Sequence, residues 1–419
     1  MKILPILISF FLFTSLHGQD TIYARKVIHK LCSKKYKGRG YVGKGDIKAS
    51  RYIASQFRSL GLKPVNRSYF QEFSFPVNTF PGEMTVRYNG RELKPGVDYL
   101  VDPSCPSFSF KGKVEFIPLQ ELNDEKHYDI KGMKLRHVVL DTFTPKLNEE
   151  AAISLRKYFG DRQKNLIIRL SNDKLTWSSS PELSNRCIIT LRNDVFDRSG
   201  PSEFEITVKN RFYRDYQSRN VLGMIEGLKH KDSLIVFTAH YDHLGMMGKK
   251  AIFPGANDNA SGVAMMLNLA AYFIKNPQDY TLLFIAFSGE ENGLVGSNYY
   301  VKNPALPLEH IRFLVNIDLM GNGAEGVMAV NGTIFPKQME KLKSINDREK
   351  YLPAVKVRGK ARNSDHYWFS EAGVPCFFFY LMGPYPHYHD INDKASAVPL
   401  TNFSSAFLLF RDFIVELQK

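Results

Sequence analysis

Four near-continuous apolar runs dominate the second half of the chain: Leu234–Thr238, Leu282–Phe287, Phe313–Ile317 and Pro375–Leu381. A strand without polar alternation is one buried on both faces, so a sheet built from such runs needs a covering layer on each side. Helices able to supply those layers are legible. Over Gly262–Lys275 the residues Val263, Met266, Leu267, Ala270 and Phe273 share one side, and a last helix over about 401–416 carries Phe403, Phe407, Phe410 and Ile414. The pattern predicts an α/β fold: a three-layer sandwich with a mixed, largely parallel central sheet flanked by helices. Ligands of such folds gather beyond the carboxyl ends of the strands, and that is where chemistry is expected.

Residues able to hold a cation recur there. The first run continues into Ala239-His240-Tyr241-Asp242-His243-Leu244-Gly245, and the loop Pro254-Gly255-Ala256-Asn257-Asp258-Asn259-Ala260-Ser261-Gly262 opens the helix. The second ends in Ser288-Gly289-Glu290-Glu291-Asn292 and the third in Asn316-Ile317-Asp318-Leu319-Met320-Gly321. After the fourth come Pro386-His387-Tyr388-His389-Asp390-Ile391-Asn392-Asp393. One His or Asp at a strand end is ordinarily a satisfied polar group. Five such sites are different, because carboxylates brought together repel unless a cation or protons neutralise them. Imidazole mixed with carboxylate suits zinc, and the four cysteines lie at no metal-ligand spacing. Two His and three carboxylates exceed the needs of one tetrahedral zinc with an open position, which argues for two ions sharing a carboxylate.

In order and spacing, these five segments resemble the motifs of the di-zinc aminopeptidase family of clan MH (metallopeptidase family twenty-eight). The likeness spans roughly 205–400, with an early segment running from Gly38-Arg39-Gly40 to Gly61-Leu62-Lys63-Pro64. Carried over by position, it implies that His240, Asp258 and Asp318 hold one zinc, and that Asp258 bridges to a second completed by Glu291 and His389. It makes Glu290 the general base and Tyr388 a hydroxyl that polarises the oxyanion. Asp242 and Asp393 match acidic positions that orient the liganding histidines. Ser364-Asp365-His366 also matches a family segment, read here as structural support, while His243 and His387 stand beside the ligands without being selected by the family's spacing.

The implied function is that of an exported zinc-dependent aminopeptidase. It would use two Zn2+ ions, a metal-bridging water and a glutamate base to remove N-terminal residues from peptides with a free N-terminus. The alternative on the same scaffold is a glutaminyl-peptide cyclotransferase, which commonly uses one zinc; Asn257–Gly262 and Phe287–Ser297 look like the peptidase versions. A carboxypeptidase or dipeptidase of the family would need a cationic pocket that the sequence does not identify. Non-catalytic binding proteins on this fold have lost ligands, whereas every ligand position and the base are filled here.

The chain has 419 residues, more than one core usually serves, so further organisation is expected. Lys2, the apolar stretch Ile3–Phe13 and Gly18 before Gln19 read as a signal peptide over 1–18, implying an extracytoplasmic (periplasmic or secreted) protein after cleavage. Residues 19–77 read as the start of the peptidase domain. Within them Asp46 is a candidate N-cap for a helix over 46–60 that Gly61 ends. Strand-like runs at Met84–Tyr88, Val114–Ile117, Val138–Leu140, Leu166–Leu170 and Ile188–Leu191 define a β-rich insert over 78–202, at the place where many family members carry a protease-associated domain. The zinc peptidase domain then fills 203–419. Thirteen Lys/Arg between Gln19 and Glu72 face only three acids, within a formal net charge of +14. With no nucleic-acid motif beside them they read as a solvated surface, and nucleic-acid binding is not expected. No apolar run reaches the roughly 18–20 residues of a membrane span. Cys32, Cys105, Cys187 and Cys376 leave three disulfide pairings open, and the oligomeric state is equally open.

Overall fold

The computed structural model describes residues 21–117, 138–141, 166–199 and 202–419. The expected signal peptide at 1–18 lies outside them. The main sheet has eight strands: β1 (Phe70–Thr79), β2 (Arg211–Ile225), β3 (His230–His240), β4 (Tyr280–Phe287), β5 (Ile311–Ile317), β6 (Gly326–Val330), β7 (Val355–Val357) and β8 (Cys376–Met382), in spatial order β1-β2-β4-β3-β5-β8-β6-β7. The pairs β4/β3, β3/β5, β5/β8 and β6/β7 are parallel; β1/β2, β2/β4 and β8/β6 are antiparallel. The four apolar runs are the four adjacent parallel strands at the centre. The first three are longer than the runs that announce them, because polar ends such as His230-Lys231-Asp232-Ser233 still join the strand, and the fourth is shifted by one residue.

Seven helices are described: α1 (Thr21–Leu31), α2 (Gly45–Leu60), α3 (Gly262–Phe273), α4 (Val295–Lys302), α5 (Pro336–Glu349), α6 (His366–Glu371) and α7 (Phe403–Glu416). Alternation along the strands sorts the two faces. Ile235, Phe237 and Ala239 join Leu282, Phe284 and Ala286 in one core with residues of α1, α2, α3, α5 and α7. Leu234, Val236, Leu283, Ile285 and Phe287 turn the other way, toward Tyr300 of α4 and Phe369 of α6. Phe237 and Phe284 stack at 5.0 Å in the larger core, and truncating either to Ala should cost about 3–5 kcal/mol.

Asp46 departs from its expected capping role. It lies inside the first turn of α2, fully buried, and accepts Tyr216 Oη at 2.6 Å and Ser218 Oγ at 2.8 Å from β2. Burial pushes its carboxyl up to about 7, with those two hydroxyls acting in the opposite direction. Gly61 does end the helix, at φ +94°.

The insert folds as two sheets. One pairs Tyr99–Val101, Cys187–Arg192, Leu166–Ser171, Val138–Asp141 and Glu115–Ile117 in that order. The other orders Arg91–Glu92, Met84–Tyr88, Glu203–Val208 and Phe108–Lys113, and so draws in a strand from beyond residue 202. The joint with the body around the main sheet is shared: a hairpin of Gly245–Met247 and Ala251–Phe253 follows β3, and its Met247, Ala251 and Phe253 are buried in the insert's core. Among the described residues no helix is long and apolar enough to cross a membrane.

Candidate metal centre

Parallel register brings the strand ends level. His240, the last residue of β3, pairs with Phe287 of β4, and Thr238 pairs with Asn316 of β5. Glu290, Glu291 and Asp318 therefore follow at the same rim as His240. Asp258 arrives from the loop before α3 and His389 from the segment after β8. The His240 Nε2 lies 3.2 Å from Asp318 Oδ2 and 3.4 Å from Asp258 Oδ1. On the other side, His389 Nε2 lies 3.0 Å from Asp258 Oδ2 and 3.3 Å from Glu291 Oε2. Asp258 thus turns one oxygen toward each imidazole.

The tautomers follow from the outer bonds. A carbonyl only accepts, so His240 Nδ1 donates to Asp242 O at 3.2 Å and His389 Nδ1 donates to Trp177 O at 2.9 Å. Both rings then aim the lone pair of Nε2 at carboxylate oxygens. Lone pair facing anion is repulsive unless Nε2 takes a proton or a metal cation stands between them. A metal fits this donor set: His240, Asp258 and Asp318 offer atoms all within 4.8 Å of one another, and Asp318 Oδ1 is buried without a hydrogen-bond partner. Nitrogen and carboxylate donors together suit zinc.

The charges respond to one another. Burial works against protonating His240, yet the Asp318 and Glu290 carboxylates outweigh it and raise its pKa well above the usual range. His389 is brought up to about 9, burial again opposing, with Glu291 and Asp258 responsible for the rise. Asp258 is driven below the usual carboxylate range although burial alone would raise it, because His389, His243 and His240 surround it. Glu290 moves the other way: burial, then the Glu291, Asp365 and Asp318 carboxylates, hold it well above its ordinary value despite His240.

Around these groups the chain is held from behind. Asp242 accepts Tyr41 Oη at 2.8 Å and the Glu290 backbone N–H at 3.3 Å, and burial pushes its carboxyl up to about 6. Asp393 does not reach a histidine in the way expected of it. Its oxygens accept the backbone N–H of Asn257 at 2.8 Å and of Asp258 at 3.0 Å, so it steadies the loop bearing Asp258. The partner of the His389 ring is the Trp177 carbonyl, from the insert. Tyr388 stacks on His389 with centroids 4.0 Å apart and stays half-exposed. Ser364 accepts Asn316 Nδ2 at 2.8 Å, and His366 packs on Phe378 at 5.1 Å. His387 pairs with Asp390 at 3.3 Å.

Two residues that the sequence reasoning named without assigning a ligand or catalytic role lie against the cluster. His243 is fully buried, with Nδ1 2.6 Å from Glu291 Oε1 and 3.9 Å from Asp258 Oδ1. Arg39, also fully buried, donates to Tyr241 O (2.8 Å), Pro254 O (2.6 Å), Gly255 O (2.7 Å) and Asp258 O (3.2 Å), tying the His240 and Asp258 segments together. The signal for Arg39 was its flanking glycines: a Cβ at Gly40 would sit 2.4 Å from Gly245 Cα.

A fold and rim of this kind define an α/β protein whose strand ends gather carboxylates and imidazoles able to hold a metal ion. Residues 220–414 match the model of peptidase family M28. The aminopeptidase YwaD of Bacillus subtilis (strain 168) is 30% identical over 204 residues, covering 45% of this chain. The chain spans 42% of that relative's length and 21% of a probable zinc metalloprotease from Pyricularia oryzae that is 35% identical over 105 residues, a quarter of this chain. In fold, it is similar to a zinc aminopeptidase from Bacillus subtilis (TM-score 0.72, 19% identity, 96% of this chain and 95% of the other). An aminopeptidase from Aneurinibacillus sp. strain AM-1 is similar as well (TM-score 0.65, 21% identity, with the same coverage).

Proposed function

We propose that this chain is an exported aminopeptidase working with two zinc ions. The observation that carries the reading is the division of Asp258 between two imidazoles, Oδ1 toward His240 and Oδ2 toward His389. His240, Asp258 and Asp318 would hold one ion; Asp258, Glu291 and His389 the other. Zinc bound there supplies an acidified water and positive charge opposite the carbonyl oxygen as it becomes an oxyanion.

The chain's own residues do the rest. Glu290 accepts the proton of the attacking water and delivers it to the leaving amine nitrogen. Although half of the Tyr388 side chain is exposed, partial burial of its hydroxyl and then the field of Asp258, Glu291, Asp318 and Glu290 keep it protonated. Its hydroxyl therefore donates a hydrogen bond to the developing oxyanion. The carboxylate-rich rim also suits a substrate ammonium, as an enzyme acting on free N-termini requires. Export rests on the segment 1–18.

The test pairs metal analysis with a substrate panel. The purified protein should carry two zinc per chain and hydrolyse Leu-p-nitroanilide, but not its N-acetylated form. Release of pyroglutamyl product from a glutaminyl peptide, without hydrolysis of the anilide, would select the cyclotransferase instead.

A further inference from the structure

We propose that the inserted module is a working part of the metal centre, with Lys174 and Trp177 acting as a clamp that sets His389. The inference rests on the two-zinc reading above and adds a division of labour between the ions. His389 sits at φ +54° in a segment without regular secondary structure; Tyr388 stacks on its ring, but that stretch supplies no bond to its Nδ1. The insert does. Trp177 N–H donates to His389 O at 2.9 Å while His389 Nδ1 donates to Trp177 O at 2.9 Å.

Lys174 completes the grip on the residues either side: its Nζ donates to Pro386 O at 2.6 Å and Tyr388 O at 2.9 Å, and pairs with Asp390 Oδ2 at 2.8 Å. Trp177 is itself anchored, with Nε1 donating to Val101 O at 2.7 Å and the indole stacked on Phe253 at 4.8 Å. Two residues on, Ser179 Oγ reaches Asn292 Oδ1 at 2.9 Å, next in sequence to Glu291. One insert segment therefore holds His389 directly and reaches the residue next to Glu291, whose own carboxylate pairs with His243. On the other side, His240 is fixed by Asp242 O, and Ser364 bonds both Asn316 and, at 3.4 Å, Asp318, all within the peptidase domain. Partners of this kind hold a ligand in its metal-facing tautomer and direction, and losing one typically weakens metal binding about 10–100-fold.

The experiment uses the full chain and zinc itself, titrated against a competing chelator. Lys174→Met is a substitution at a part-exposed side chain, so folding is checked simply by an unchanged melt of the metal-free protein. It should weaken one zinc affinity about tenfold and leave the other within about twofold. Lys174→Arg, which keeps donors on a long stem, should recover most of the loss. Lys111→Met, at an exposed lysine on the insert's other sheet, should change neither ion. Both affinities unchanged in Lys174→Met, or both lowered alike, would overturn the clamp while leaving the two-zinc reading intact. A wild-type protein that binds only one zinc would overturn that reading first, and the clamp with it.

Discussion

Replacing Arg39 by Met removes a buried guanidinium but keeps a side chain of similar reach. Four carbonyls lose their donor, three of them bonded at 2.6–2.8 Å and one at 3.2 Å. Hydrogen bonds from a charged donor contribute about 1.5–3 kcal/mol each. Taking the three short ones at the low end gives about 4–5 kcal/mol. Relief from burying the cation reduces this, and breaking a buried charged network usually costs about 3–5 kcal/mol, so a loss of about 4 kcal/mol is expected. That is a large share of the roughly 5–15 kcal/mol that holds a folded protein together. Urea unfolding of both proteins, kept metal-free with chelator so that zinc binding does not enter the comparison, measures it. A difference below about 1 kcal/mol would refute the view that Arg39 is the tie between the Tyr241 and Asp258 segments.

Glu290→Gln should retain both zinc ions by elemental analysis while kcat on Leu-p-nitroanilide falls by about 10²–10⁴; near-normal turnover would remove Glu290 as the base. Stripping zinc should lower the melting temperature, since a ligand present at a thousand times its Kd stabilises the fold by about 4 kcal/mol, and readdition should restore it; an unmoved melt would count against a metal in the native fold. Asp46 gives a pH dependence. Its pKa rises from 3.8 to about 7 on folding, so its contribution is whole below about pH 4 and is lost as pH climbs through 7. Asp46→Asn should therefore gain on the wild type between pH 4.5 and pH 8, by up to about 4 kcal/mol, and urea midpoints that keep a constant gap would contradict the sign.

The central strands were legible because burial on both faces leaves an unbroken apolar run. Strands buried on one face read less clearly. Glu203–Val208 alternates Glu-Phe-Glu-Ile-Thr-Val, and only its partners, Met84–Tyr88 and Phe108–Lys113, reveal which body it belongs to. Asp46 looked like a cap because local sequence cannot disclose that Tyr216 and Ser218 await it on a strand far along the chain. At the rim, residue types with known spacing announced His240, Asp258, Glu290, Glu291, Asp318 and His389, and the fold gathers them. What stayed hidden was support supplied by backbone. The carbonyl of Trp177 leaves no mark in a sequence, and neither do the four carbonyls held by Arg39. The spacing argument set His243 aside, yet its contact with Glu291 depends on where a turn points a ring.

The Gly245–Phe253 hairpin carries a consequence for ancestry. Met247 and Phe253 have no exposed surface, and much of what covers them belongs to the insert, which lies some 40–170 residues earlier in the chain. A descendant that lost the module by a single deletion would present those side chains to water in the short stretch between His240 and Asp258. Shedding the module and rewriting the hairpin are thus a coupled event, and lineages without the one should carry a shorter, more polar version of the other.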